Sequence, residues 1–338
     1  MAELPQAESL TVRAIWAAVE AAQDRSERTY LGASVLGDEC ERKLWLAFRW
    51  AYEPEWFDGR KLSIFETGHR WEARLVDLLR LGGLHVNEVD PATGEQYLVR
   101  FAGGHAGGHL DGEAEGVPEA PKKRHVFEAK SHNDKSYREL LRLKVQKAKP
   151  VHYAQMQVYM HLRGLERALY VAVNKNDDDI YSERVEYDPS LALALVAKAE
   201  RIVTAPKPPP CSCPPYFLQA GYGCARLTGA WPRRNCRSCL HSTPRLDGDA
   251  RWTCERHDRD LSADDQRAGC PRHLFIPDLV PGEQVDCDPR AETVSYRLNT
   301  GTFWIDGVLP EPRPVEDLRR ANEFGVTADE ITFEGASA

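Results

Sequence analysis

The chain has 338 residues, 42% hydrophobic and 28% charged, room for one large core or for a domain of about 200 residues with an appended module. Its apolar runs fall far short of the ~20 residues of a membrane span, and M-A-E-L-P-Q-A-E-S lacks the basic end and apolar block of a secretory signal. The net charge of −8 excludes a global electrostatic attraction to nucleic acid, so any such binding needs a local basic face.

Residues 9–24 carry apolar positions at helical spacing behind a Ser/Thr start and predict a first helix. From Leu31 to Trp50, Ser34 or Asp38 is placed to cap a helix bearing Leu44, Leu46 and Phe48. Cys40 falls in its first turn, where a lone cysteine reads as a small buried apolar residue. Phe57 to Lys61 reads as a loop. Residues 62–82 give the strongest helical pattern, with Leu75, Leu78 and Leu79 as its stripe and Gly82–Gly83 as its stop. Within it His69 and Glu72 stand three apart on one face, which alone describes an exposed surface pair. Leu84 to Val89 and Tyr97 to Phe101 read as strands.

Gly108 to Lys130 then reads G-H-L-D-G-E-A-E-G, a polar turn, and H-V-F-E-A-K, the pattern of a β-hairpin. Alternation sends Glu128 and Lys130 to one side and Phe127 and Ala129 to the other, and gives His109, Asp111 and Glu113 one face of the first strand. If the strands pair in the obvious register, Asp111, Glu128 and Lys130 converge. Two carboxylates and one ammonium suit a hard divalent cation, with the lysine beside an attacking water. A bare D…E-x-K is common by chance, and a solvated hairpin face is the plain alternative.

Lys135, Arg138, Arg142, Lys144, Lys147 and Lys149 make the next segment the densest basic stretch, suited to phosphate or to a solvated helix face. Residues 151–163 predict a helix in which Gln155 and Tyr159 lie one above the other, with Met156 and Met160 toward the core. Residues 167–174 read as a buried strand, Lys175 to Asp179 as a polar turn, Ile180 to Tyr187 as a strand and Ser190 to Val203 as a helix. The order predicts an α/β domain with a mixed sheet backed by helices. A stiff linker, A-P-K-P-P-P, follows from Ala205 to Pro210.

Eight of the nine cysteines lie beyond that linker, and without a secretory signal they belong to a reducing, cytoplasmic compartment, where clusters mean metal more often than disulfides. C-R-S-C at 236–239, with Cys254 and Cys270 each trailed by a histidine three residues on (His257, His273), offers four sulfurs from three places for a tetrahedral, zinc-type site. From Arg290 to Ala338 the pattern predicts a short β segment (Val294 to Ile305), a helix near Val315 to Asn322 and a loose tail.

Five motifs in order resemble the PD-(D/E)XK nuclease superfamily, and within it the RecB-like and phage recombination exonucleases, including CRISPR-associated RecB-type enzymes. They are G-D-E-C with Cys40, G-H-R-W-E at 68–72, G-H-L-D-G with Asp111, F-E-A-K with Glu128 and Lys130, and Q-M-Q-V-Y with Gln155 and Tyr159. The resemblance covers residues 30 to 205. It implies a restriction-endonuclease-like fold, a mixed central sheet flanked by helices, with a small Cys-rich metal-binding module added. By position it implies Asp111, Glu128 and the Ala129 carbonyl as ligands of Mg²⁺ or Mn²⁺, and Lys130 as the group that orients or deprotonates water. His69 matches the metal-binding histidine of RecB-like enzymes and Glu72 the helix glutamate of phage exonucleases. Gln155 and Tyr159 would support the site or contact the strand, and Lys135, Arg138, Arg142, Lys144 and Lys147 would meet phosphates.

The same resemblance implies a [4Fe-4S] cluster on Cys40, Cys211, Cys213 and Cys224, although C-x-C with a wide gap departs from the usual spacing and zinc is the other occupant. Cys224, Cys236 and Cys239 are an alternative triple. Cys236, Cys239, Cys254 and Cys270 would hold Zn²⁺ outside the shared core. The expected division is an N-terminal helix (1–29), nuclease core (30–205), Cys-rich region (206–290) and partly flexible C-terminal segment (291–338).

The expected activity is metal-dependent hydrolysis of DNA from its ends, in phage recombination or DNA repair, with DNA and a phage or host recombination protein as partners and no membrane. A second reading is a non-catalytic nucleic-acid-binding adaptor of nuclease-like fold, with its zinc module recruiting partners. The intact Asp111, Glu128 and Lys130 favour the enzyme. A redox role for C-R-S-C is weaker, because the motif is not set on a strand-to-helix turn.

Overall fold

The computed structural model describes residues 9–24, 26–53, 57–211 and 230–307. In chain order its elements are α1 (Leu10–Ala21), β1 (Leu31–Gly32), α2 (Glu41–Phe48), α3 (Gly59–Leu81), β2 (His85–Asn87), β3 (Leu98–Phe101), β4 (Ala106–His109), β5 (Gly112–Glu115) and β6 (His125–His132). There follow α4 (Asp134–Ala148), α5 (Pro150–Arg163), β7 (Arg167–Asn174), β8 (Ile180–Glu186) and α6 (Pro189–Thr204). The last are β9 (Ser242–Pro244), β10 (Trp252–Cys254), β11 (Arg259–Asp260), α7 (Ala263–Ala268), β12 (Gly282–Asp288), β13 (Thr293–Leu298) and β14 (Phe303–Asp306). The architecture is mixed α/β. Among the described residues no helix is long and apolar enough to cross a membrane.

The chain forms two compact units that interleave along the sequence. The first comprises Met1–Arg28, Glu55–Val99 and Gly108–Ala194, and the second Thr29–Pro54, Arg100–Gly107 and Leu195–Ala338.

The first unit is built on a five-stranded sheet, β2-β5-β6-β7-β8. Its two central strands, β6 and β7, run parallel with Glu128 opposite Tyr170 and Lys130 opposite Ala172, and all other pairings are antiparallel. A parallel pair needs a long crossover, which α4 and α5 supply. β7 is buried from Ala168 to Asn174, as a continuous apolar run at a sheet centre requires. Along β6, Phe127 and Ala129 face Leu75 and Val76 of α3, together with Val86, Ala114, Leu169, Val171 and Val173. Glu128 and Lys130 therefore turn to the other face, where α5 lies.

One boundary differs from expectation, and one helix carries a break. Phe57 to Lys61 is not all loop: Asp58 caps α3 by accepting the Lys61 N–H (2.7 Å), so the helix starts at Gly59. A side chain at Gly59 would stand 2.4 Å from the Trp16 carbonyl of α1, which is why glycine opens this helix. Within α4, Lys144 takes φ 64°, and the Glu183 carboxylate accepts the Val145 N–H (2.9 Å), so the helix breaks and restarts there.

In the second unit β1 pairs parallel with β4 through Leu31–Ala106 and Gly32–Gly107. Two three-stranded antiparallel sheets follow, β9 to β11 and β12 to β14. The second of these is larger than expected, because β12 joins the predicted β segment; Val294, Tyr296, Leu298 and Trp304 pack there with Phe275 and Val280. Cys40 is the N-cap of α2 rather than a first-turn residue, and the Asp38 carboxylate accepts its N–H (2.9 Å). Arg49 and Arg237 are buried among aromatic rings, Arg49 over Trp45 and Trp252, and Arg237 over Trp50, Phe48 and Trp252. The helix expected near Val315 to Asn322 lies outside the described residues.

Candidate active site

The expected hairpin is made by β5 and β6, and Asp111 stands just before it, in the bend that separates β4 from β5. That bend is held by main-chain contacts. The Leu110 N–H donates to the Tyr97 carbonyl (3.0 Å), and the Gln96 side-chain amide donates to the Leu110 carbonyl (3.1 Å). Glycine fits on either side of it. A Cβ at Gly108 would meet the Tyr159 hydroxyl at 2.4 Å, and one at Gly112 the Asn87 carbonyl at 2.7 Å.

The bend aims Asp111 at β6. Its Oδ2 accepts the Ala129 N–H (2.8 Å) and lies 3.5 Å from Lys130 Nζ. Lys130 Nζ also donates to the Ala129 carbonyl (2.9 Å) and forms an ion pair with Glu128 Oε1. From α5, the Gln155 amide donates to Glu128 Oε2 (3.2 Å), and the Tyr159 hydroxyl donates to the His109 carbonyl (2.9 Å). Asp111, Glu128, Ala129, Lys130, Gln155 and Tyr159 are thus one constellation.

Its electrostatics follow from burial. Glu128 is fully buried, and desolvation pushes its carboxyl up to about 8; Lys130 opposes the rise and the charge of Asp111 adds to it. Burial alone would depress Lys130, but Glu128 and Asp111 hold its ammonium above the usual lysine range. Both directions have one reason. One ammonium cannot neutralise two carboxylates, and the excess falls on Glu128, the more buried of the two. Glu72 of α3 is also raised, by burial and then by Asp111, which sets it in the same field. His69, three residues earlier, is exposed and acts on that field as a neighbour of Glu72.

The donor set consists of two carboxylates and the Ala129 carbonyl, all hard oxygens, and Glu128 Oε1 is met by the Lys130 ammonium. Such a set fits Mg²⁺ or Mn²⁺ by its chemistry. Among the described residues no group of three or more His, Cys, Asp and Glu side chains is arranged to hold a metal ion.

Other expected residues fall elsewhere. Glu113 does not share a face with Asp111: it is buried against Arg163 (2.8 Å) and Arg124 (3.3 Å), a structural ion cluster. Lys135, Arg138, Arg142, Lys144 and Lys147 of α4 are exposed, and Arg138 pairs with Asp134 (3.0 Å). Cys213 and Cys224 lie outside the described residues, while Cys40 is buried and Cys211 half-buried. Cys236, Cys239 and Cys254 are buried and Cys270 half-buried; they are not arranged as a closed four-sulfur site, and the Cys236 thiol donates to the Asp265 carbonyl (3.2 Å).

A polar chain beside the site escaped the sequence reading. The Tyr170 hydroxyl lies 2.9 Å from His132 Nε2 and 3.0 Å from His152 Nδ1, and Ser136 Oγ is 3.2 Å from His132 Nδ1. Burial and nearby Lys130 hold His152 at about 3, and burial with Lys149 and Lys130 holds His132 at about 4, so both rings are neutral at pH 7. Spacing carried a signal: His132 is two residues beyond Lys130 on its face of β6, and His152 one helical turn before Gln155.

No protein-family model matches the chain, and no curated protein matches it. Among solved structures, LHK-Exo in complex with dAMP overlaps 56% of this chain and 90% of its own, at 16% identity and TM-score 0.38. The alkaline exonuclease LHK-Exo from Laribacter hongkongensis gives 17% identity and TM-score 0.34 over the same shares. SSO0001 overlaps 58% of this chain and 86% of its own, at 14% identity and TM-score 0.33. These likenesses are distant and partial.

Proposed function

We propose that the chain is a Mg²⁺- or Mn²⁺-dependent deoxyribonuclease of the PD-(D/E)XK type, acting from DNA ends. The observation that carries this reading is the meeting of Asp111, Glu128 and Lys130 at the edge of the β5–β6 hairpin, two carboxylates sharing one ammonium. In this reading Asp111, Glu128 and the Ala129 carbonyl would hold the cation, with His69 or Glu72 as a further ligand. When bound there, such a cation would supply the activation of water and the neutralisation of charge developing on the phosphate. Lys130, held as an ammonium, orients the attacking water by donating to it. Gln155 fixes the Glu128 carboxylate by its hydrogen bond, and Tyr159 fixes the strand leading to Asp111 through the His109 carbonyl. The exposed cations of α4 offer a backbone-binding face, a role open to them because few are tied to carboxylates.

The test is cleavage of end-labelled linear DNA and of closed circular DNA, with and without Mg²⁺. Metal-dependent loss of linear DNA with circles intact is expected, and no cleavage of either in any divalent metal would overturn the reading.

A further inference from the structure

The second unit contains a cysteine cluster that the nuclease reading leaves unused, and three segments of backbone bring it together. Cys236 and Cys239 flank a 3₁₀ turn whose preceding residue, Asn235, closes a reciprocal cap with Ser238. Gly269 lies against Asn235, with the Asn235 Cα only 3.5 Å from where a Gly269 Cβ would stand, so Cys270 follows directly beside Cys236. His273 Nε2 is 3.1 Å from Ser238 Oγ, and the Leu240 N–H donates to the Leu274 carbonyl (2.8 Å), which ties the same two segments further along. Cys254 is opposite Ser242 in the β9–β10 pair, and the Ser242 N–H donates to the Cys239 carbonyl (3.3 Å).

A second observation is independent of the thiols. Arg49 is 3% exposed, and its hydrogen bonds go to the carbonyls of Arg237, Ser242 and Ala205. Its Nε has no partner, and among the described residues no carboxylate forms an ion pair with it. A buried guanidinium without a counter-charge is costly. The two carbonyls from Arg237 and Ser242 belong to the turns that carry Cys236 and Cys239, so this cation faces the sulfur cluster.

We propose that Cys236, Cys239, Cys254 and Cys270 close on one Zn²⁺, and that Arg49 is the buried counter-charge of the resulting tetrathiolate. Closure requires the four thiols to draw together, the Cys236 thiol leaving the Asp265 carbonyl as they do. Four S–H bonds break, four Zn–S bonds form, and four protons go to solvent with no change of oxidation state. The centre then carries a charge of 2−, which a neutral four-thiol cluster lacks and which Arg49 offsets. Zinc prefers four sulfurs at tetrahedral angles, and C-x-x-C from one turn with two further cysteines from separate strands and loops is a common way to supply them.

The test uses the full chain as purified. A thiol-specific mercurial should release about one zinc per chain, whereas zinc held by carboxylates would resist it and yield only to a chelator. Alkylation of the folded protein followed by mass spectrometry should find Cys236, Cys239, Cys254 and Cys270 protected and Cys287, which is exposed, labelled. Cys239→Ser should lose the mercurial-released zinc and Cys287→Ser keep it. Arg49→Met should weaken zinc retention against a chelator by roughly tenfold or more, the range typical of outer partners of metal ligands, with Arg49→Lys closer to wild type. Wild-type protein with no thiol-held zinc, with iron in its place, or with the four cysteines freely alkylated would overturn the proposal even if the variants do not fold.

Discussion

Replacing Glu128 with glutamine should make the protein more stable at alkaline pH while destroying its activity. The Glu128 side chain is fully buried and its carboxyl is pushed up to about 8 from an ordinary 4.5. Because the folded pKa is the higher one, the folded state keeps a proton that the unfolded chain releases above pH 4.5. Stability is therefore lost as pH rises from about 4.5 to about 8 and then levels off. Each pH unit in that window is worth about 1.4 kcal/mol, so between pH 5 and pH 8 the difference should grow by on the order of 4 kcal/mol. The substituted amide cannot titrate, keeps the shape, and leaves an oxygen for the Gln155 donor. Urea unfolding of both proteins at half-unit pH steps isolates the effect, because groups common to both cancel. Mg²⁺ should flatten the wild-type slope, since the cation favours the ionised carboxylate, and should leave the variant unchanged. A difference that does not vary with pH would refute the reasoning: Lys130 alone would then be holding Glu128 ionised.

Three further outcomes are expected. Lys130→Ala should lower cleavage by ~10² or more at saturating Mg²⁺, with a cooperative thermal transition retained because Glu128 can relieve the lost ion pair by keeping its proton; near-wild-type cleavage would remove Lys130 from the chemistry. Gly108→Ala drives a methyl group into the Tyr159 hydroxyl and should cost about 1–3 kcal/mol in chemical denaturation, and adding Tyr159→Phe should recover part of it, a non-additivity that unrelated sites would not show. His132 and His152, held at about 4 and about 3, bind protons more readily when unfolded, so their contribution is intact above pH 6.5 and is lost as pH falls toward 4; His152→Gln should shallow that acid limb, and an unchanged limb would count against the buried Tyr170 chain.

Much of the scaffold was legible because local and tertiary preferences agree. The apolar run of β7, the Gln155–Tyr159 pair and Leu75 of the α3 stripe are buried as their periodicity selects, while Leu78 and Leu79 are half-buried. Alternation also placed Glu128 and Lys130 opposite Phe127 and Ala129. It failed at Glu113, because parity holds only along one unbroken strand, and the bend at Leu110–Asp111 resets it. Gly59 misled for a related reason: glycine disfavours a helix start unless, as here, another helix backbone comes within reach. The histidine chain around Tyr170 needs β7 beside β6 before its three residues meet, and no local pattern announces that. Nor does the run of lysines reveal the break at Lys144, which is imposed by Glu183 from β8.

The interleaving of the two units bears on where the chain can be cut. The composition break after Ala205 invites separation there, yet Phe48, Arg49 and Trp50 take their partners from beyond it. Arg237 donates to the carbonyls of Thr29 (2.8 Å) and Phe48 (2.9 Å) and stacks on Trp50, and Trp252 lies against Phe48. A fragment ending at residue 205 would carry Phe48 and Trp50 stripped of that cover, and aromatic side chains of this kind bury roughly 150–250 Å² each. Such a fragment should be sticky and poorly behaved. A chain cut after Pro210 should instead leave two pieces that stay together through gel filtration until denaturant parts them.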